Sequence, residues 1–152
     1  MKNSILLFLF CMILFTLPAQ DNKKVDVPDN VKSSMAGMFP QLNVPGAYVK
    51  WEKDGIYYKL TTKGYKESYQ YAWADSNGFM RKFEEQVQLN ILPKKAIDNL
   101  MEKYPGAEIT EAYRIREAIP KVPTAKVSYR INAIIKPTVF FNKDGEIIPK
   151  PQ

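Results

Sequence analysis

The sequence predicts an α+β fold: two tandem helix-plus-antiparallel-meander units forming one sheet, with both helices on one face. Two observations carry this. A proline-bracketed amphipathic segment occurs twice, as "VPDNVKSSMAGMFP" and "LPKKAIDNLMEKYP", and each copy is followed by alternating runs punctuated by turn signals. The pairs Pro28/Pro93, Val31/Ala96, Met35/Leu100, Phe39/Tyr104 and Pro40/Pro105 share a single offset, that from 28 to 93.

The chain opens with Lys2, an unbroken apolar run over residues 5–15, and Leu17-Pro18-Ala19 before Gln20. That pattern predicts a secretory signal peptide over residues 1–19, because the run is well short of the roughly 20 apolar residues a membrane span needs. Residues 20–25 are expected to be a disordered mature N-terminus. The domain is then placed at 26–148, as repeat one (26–90) and repeat two (91–148), with no transmembrane anchor after cleavage. Periplasmic or secreted localisation follows. Cys11, preceded by Phe10 in place of the small residue a lipid-attachment signal needs, falls inside the leader.

In the first unit, Val31, Met35, Met38 and Phe39 recur at helical spacing. Pro28 suits a helix start, where its missing N–H is not needed, and Pro40 disfavours helix at Phe39. Residues 47–53 and 56–62 alternate around Asp54-Gly55, a strong hairpin signal. Lys63-Gly64 is read as a turn into a long third strand over 65–74, and "DSNG" (75–78) as the turn into a fourth over 79–87. The second unit repeats the scheme. Its helix carries Ala96, Ile97, Leu100, Met101 and Tyr104; strands are expected over 108–117 and 125–133, joined by a loop containing Pro120 and Pro123. Residues 138–141 then turn through "NKDG" into 146–148. Gly78 and Gly145 stand two positions further apart than the helix pairs do.

Composition excludes much chemistry. The chain has 152 residues, no histidine and one cysteine, which leaves with the leader. A Cys-His pair, a Ser-His-Asp triad and a zinc site of the usual ligands are therefore impossible. Ser33, Ser34, Ser68 and Ser128 lack a lysine three positions on. Asp54, Glu67, Glu108 and Glu111 are not spaced to pair as a carboxylate hydrolase requires. The expectation is no enzyme, no catalytic residue, no cofactor and no metal. "WADSNGFMRKFE" imitates a calcium loop but begins with Trp73 where a carboxylate is needed, so it reads as a hairpin turn. The net charge of +6, one unit of it from Lys2, is spread along both units, and export argues against nucleic acid.

The stretches "YVKWEKDGIYYKL", "YAWADSNGFM", "KVSYRI" and "VFFNKDGEII", together with the two proline-bracketed helices, resemble the PepSY-like, beta-lactamase-inhibitory-protein-like domains of exported bacterial proteins. The second copy departs in having Arg116 where the first has Trp51, and "IPKVPT" where a tight turn is expected.

One alternating set is expected to be core: Val49, Trp51, Ile56, Tyr58, Leu60, Tyr65, Tyr69, Tyr71 and Trp73, then Ile109, Tyr113, Ile115, Val127, Tyr129, Ile131 and Ala133. The other set faces water. The resemblance implies a protein partner gripped on that open face, with Tyr48, Tyr57, Lys59, Gln70, Lys126 and Arg130 as candidate contacts. It further implies an inhibitor-like role against a periplasmic or extracellular enzyme, a peptidase or a beta-lactamase. The alternative is an envelope structural or small-ligand-binding protein whose open face is a solvated surface.

Overall fold

The computed structural model describes residues 25–118, 125–134 and 138–151. The leader expected over 1–19, most of the expected N-terminal tail, and the loop with Pro120 and Pro123 lie outside the described residues. Val25, at the end of that expected tail, packs against the first core.

Helix α1 (Asp29–Met38) follows Pro28, and α2 (Lys94–Lys103) follows Pro93. Both stop on the aromatic residue before a proline. Phe39 (φ −124°) and Tyr104 (φ −132°) leave the helical region, yet each N–H still reaches the carbonyl four residues back at 2.8 Å. Eight strands form one antiparallel sheet in simple sequence order: β1 (Val49–Asp54), β2 (Tyr57–Lys63), β3 (Tyr69–Ala74), β4 (Met80–Gln86), β5 (Ile109–Ala118), β6 (Ala125–Ala133), β7 (Val139–Asn142) and β8 (Ile147–Ile148).

Register decides which face each residue takes. Trp51 pairs Leu60, Leu60 pairs Ala72, Ala72 pairs Phe83, Phe83 pairs Arg116 and Arg116 pairs Val127, so these share the helix-covered face. Beneath α1, Val31 and Met35 pack on Leu60, Ala72 and Ala74, all buried. Beneath α2, Ala96 and Leu100 pack on Ala112, Ile131, Val139 and Phe141. The two cores are separate clusters. Between them on the same face lies a polar seam, where Arg114 donates twice to Glu85 Oε1 (2.9 and 2.7 Å) and Arg116 approaches it at 3.3 Å.

Two parts of the expected core are reversed. Tyr69, Tyr71 and Trp73 lie on the open face, and Ala72 and Ala74 lie under α1. A two-residue turn at Lys63-Gly64 would have set Tyr58 opposite Tyr69; the actual loop is longer, with a 3-10 turn at Tyr65–Glu67, and Tyr58 pairs Ala74 instead. An odd change in loop length moves every side chain of the following strand to the other face. Tyr65, expected in the core, is 84% exposed in that loop. In β5 a bulge between Ile109 and Glu111 does the same. Ile109 stays on the helix side, but Tyr113 and Ile115 cross to the open face and Ala112 takes their place under α2. Alanine fills several of the positions beneath the helices. Ile56 belongs to the β1–β2 turn and is 74% exposed.

Each helix is tied to a hairpin. Ser34 Oγ donates to the carbonyl of Gly78 (2.7 Å) and Asn99 Nδ2 to that of Gly145 (2.8 Å). Both glycines have φ +84°, and a Cβ on Gly145 would sit 2.6 Å from the Ala96 nitrogen. Positive φ and close approach thus both require glycine there. At the other end of each turn a side chain caps the loop. Asp75 Oδ1 accepts the N–H groups of Asn77 and Phe79, and Asn142 Oδ1 accepts those of Asp144 and Glu146.

Candidate binding face

The open face is the concave side of the sheet. Asp54 of β1 and Phe140 of β7 line one hollow of about 510 Å³. On a flat sheet six strand spacings, about 29 Å, would separate them. Side chains two strands apart also meet, since the Tyr71 and Tyr113 ring centroids are 5.9 Å apart.

Aromatic rings form a continuous ladder along the first half of this face. Tyr48 meets Tyr69 edge-on at 6.2 Å, Tyr69 stacks on Tyr71 at 6.2 Å, and Tyr71 tilts against Trp73 at 6.4 Å. Strand alternation places 69, 71 and 73 on one side, and Tyr48 just precedes β1 at the rim. Cations lie over the rings. Lys63 is 5.5 Å from the Tyr69 centroid, Lys59 5.2 Å from Tyr71 and 5.5 Å from Trp73, Lys82 4.4 Å from Trp73, and the Arg130 guanidinium 3.9 Å from Tyr113.

The middle of the face is buried although no helix covers it. Glu84 is 5% exposed, and its two oxygens take Lys82 at 2.9 Å and Arg130 at 2.9 Å. Tyr113 is 2% exposed, and Ile115, Ser128 and Thr61 on the same face are buried too. Burial, and then a hydrogen bond with Tyr71, push the Tyr113 phenol above its ordinary range. Nearer the β1–β2 turn, the Trp73 indole N–H donates to Asp54 Oδ2 at 2.7 Å. Long side chains arching inward over a concave sheet thus build a second, mixed core, and their outer surfaces form the floor of the hollow.

Five of the six candidate contacts lie on this face. Tyr48 is at the rim against Tyr69; Tyr57 and Lys126 line a larger neighbouring depression with Trp73; Lys59 and Arg130 line the hollow itself. Gln70 does not. It points to the helix side, where it accepts a hydrogen bond from Gln41 at 2.9 Å. Tyr69, Tyr71, Trp73, Lys82, Glu84, Tyr113 and Phe140 also belong to this face and are not among the expected contacts. The small size of Ala72, Ala74 and Ala112, which fits them for positions beneath a helix, was the available signal.

Asp75, the acidic residue of the calcium-like stretch, has its oxygens occupied by Asn77, Phe79 and Arg81. Among the described residues no cluster of three or more His, Cys, Asp or Glu side chains could hold a metal ion, and no helix is long and apolar enough to cross a membrane.

The class these features define is an α+β protein with an open eight-stranded antiparallel sheet and two helices, and solved structures share it. A crystal structure of a DUF2874 family protein from Bacteroides uniformis superposes with a TM-score of 0.62 at 17% identity, covering 80% of this chain and 86% of that one. A beta-lactamase-inhibitory-protein-like (BLIP-like) protein from Bacteroides fragilis gives 0.60 at 18% identity, covering 85% and 88%. A protein from Bacteroides eggerthii, provisionally described as periplasmic, gives 0.62 at 14% identity, covering 82% and 88%. At these identities the likeness is one of fold. No protein-family model matches the sequence, and no curated protein matches it.

Proposed function

We propose that this is an exported, non-enzymatic protein-binding module that grips another protein with its concave sheet face. The observation that carries the reading is the aromatic ladder from Tyr48 to Trp73, interleaved with Lys59, Lys63 and Lys82 on a concave surface. Large rings with polar tips beside cations are the composition of binding hot spots. The likeness to a BLIP-like protein supports an inhibitor-like role, with a beta-lactamase or, from the PepSY side of the resemblance, a peptidase as target. Export is supported by the leader pattern at 1–19 and by the periplasmic description given to one structural relative. The paired bonds of Ser34 to Gly78 and Asn99 to Gly145 support reading the two halves as one unit used twice.

The test is site-specific photocrosslinking in periplasmic extract, with the crosslinker at Tyr57 or Lys126 on the open face or at Lys32 on exposed helix. The expected result is one discrete adduct from the open-face positions alone, weakened when Tyr48→Ala, at the rim of the ladder, is added. Equal adducts from Lys32, or none from either open-face position, would sink the reading. A second reading, small-ligand binding, draws on the hollow, whose volume falls in the usual range for such sites. Its largely charged lining ranks it behind protein binding.

A further inference from the structure

Resting on the protein-binding reading, we infer that the partner offers an acidic loop, one of whose carboxylates enters the hollow beside Lys59 and Trp73. The hollow is lined by the cations Lys59, Lys82, Arg130 and Lys150 against the carboxylates Asp54 and Glu84. Both of those carboxylates are already engaged. Glu84 is held between Lys82 and Arg130, and Asp54 accepts the Trp73 indole. Lys59 is matched less closely: among the described residues the one carboxylate within 4 Å of its ammonium is that of Glu52, at 3.9 Å, and Glu52 also pairs with Lys50 at 2.9 Å.

The geometry around Lys59 favours an incoming anion. Its side chain is 26% exposed and its ammonium lies 5.2 and 5.5 Å from the Tyr71 and Trp73 ring centroids, so a carboxylate arriving there meets a positive excess walled by rings, where its attraction is screened less than on open surface. A protein loop fits better than a free anion because the ladder continues past the hollow. From Tyr71 it runs through Tyr69 to Tyr48 in two steps of 6.2 Å, which gives the residues flanking the carboxylate rings to pack on. A free anion would use the hollow alone.

The two tryptophans lie on opposite faces, Trp73 in the hollow and Trp51 under α1, and give a built-in control. The probe is the blocked peptide Leu-Glu-Glu-Leu, titrated into the ¹⁵N-labelled chain and compared with Leu-Gln-Gln-Leu and with inorganic phosphate at matched ionic strength. The expected result is movement of the Trp73 indole resonance with the glutamate peptide only, a stationary Trp51 resonance, and a response weakened about tenfold or more in Lys59→Glu. An unchanged Trp51 resonance also reports that this variant is folded. Equal response to the glutamine peptide, full response in Lys59→Glu, or silence with every probe would overturn the inference; phosphate reproducing the shift would overturn it in favour of a free-anion site. Photocrosslinked adducts without any glutamate effect would remove the acidic partner and keep protein binding. Glutamate-dependent shifts without adducts would remove protein binding and keep an acid-binding hollow.

Discussion

In the first half of the molecule α1 is fastened to the β3–β4 hairpin through Ser34 and Gly78, and in the second α2 is fastened to the β7–β8 hairpin through Asn99 and Gly145. Each half has its own apolar core beneath its helix. On the concave side the halves part company. The first carries Tyr69, Tyr71 and Trp73 in a row, whereas the second sets Tyr113 and Arg130 among small and polar residues such as Ser128 and Asn132. The two halves thus tie helix to hairpin in the same way and differ on the uncovered face.

The comparison can be broken first at the cores. Met35→Ala and Leu100→Ala, each fully buried beneath its own helix, should each cost about 3 kcal/mol. Urea denaturation checks this, and values differing by more than about 1 kcal/mol would show the halves to be energetically unlike. Next is Glu84→Gln, which leaves Lys82 and Arg130 facing each other without their shared anion. A loss of about 2 to 3 kcal/mol is expected, read as a lowered urea midpoint. Third, Gly145→Ala should cost about 2 kcal/mol and Gly78→Ala about 1. The order follows from what an added Cβ meets, Ala96 nitrogen at 2.6 Å in one case and Asn30 oxygen at 3.1 Å in the other.

The smallest effect separates the two hairpin caps, because Asp75 can titrate and Asn142 cannot. Partial burial pushes Asp75 up, but Arg81 and the N–H groups of Phe79 and Asn77 outweigh it and hold the carboxyl below its ordinary value. A depressed acid contributes stability that is present above its unfolded value, near pH 4, and is lost as pH falls through the lower folded value. Glu146, which accepts from Lys95 and Asn142, is held down as well, and its protonation loosens the β7–β8 hairpin in the same acid range. The cap is therefore isolated by Asp75→Asn, which should reduce the acid loosening of the β3–β4 hairpin and leave that of the β7–β8 hairpin unchanged in hydrogen exchange followed below pH 4.

The helices and most strand positions were legible from local chemistry. Proline brackets marked α1 and α2, and Asp54-Gly55, "DSNG" and "NKDG" marked three hairpins. The face of a strand was harder to read, because it depends on parity. The length of the loop after Lys63 and the bulge near Thr110 each changed the count by an odd number, and the two strands affected, β3 and β5, carry most of the missed aromatic residues. Lys59, Lys126, Arg130, Tyr48 and Tyr57 lie on the open side of the sheet, as alternation alone implies, because no such irregularity precedes them within their own segments. Gln70, which follows the misread loop, was not.

The second core on the concave face has a consequence for how such a surface can diverge. Tyr71 against Tyr113 and Glu84 with Arg130 join the two halves across the β4–β5 boundary, so changes there cost the fold as well as any contact. Tyr48 at the rim and Lys126 at the edge carry no comparable structural duty. Substitution at the rim is therefore cheap and at the centre costly, which leaves a fixed floor beneath a variable border.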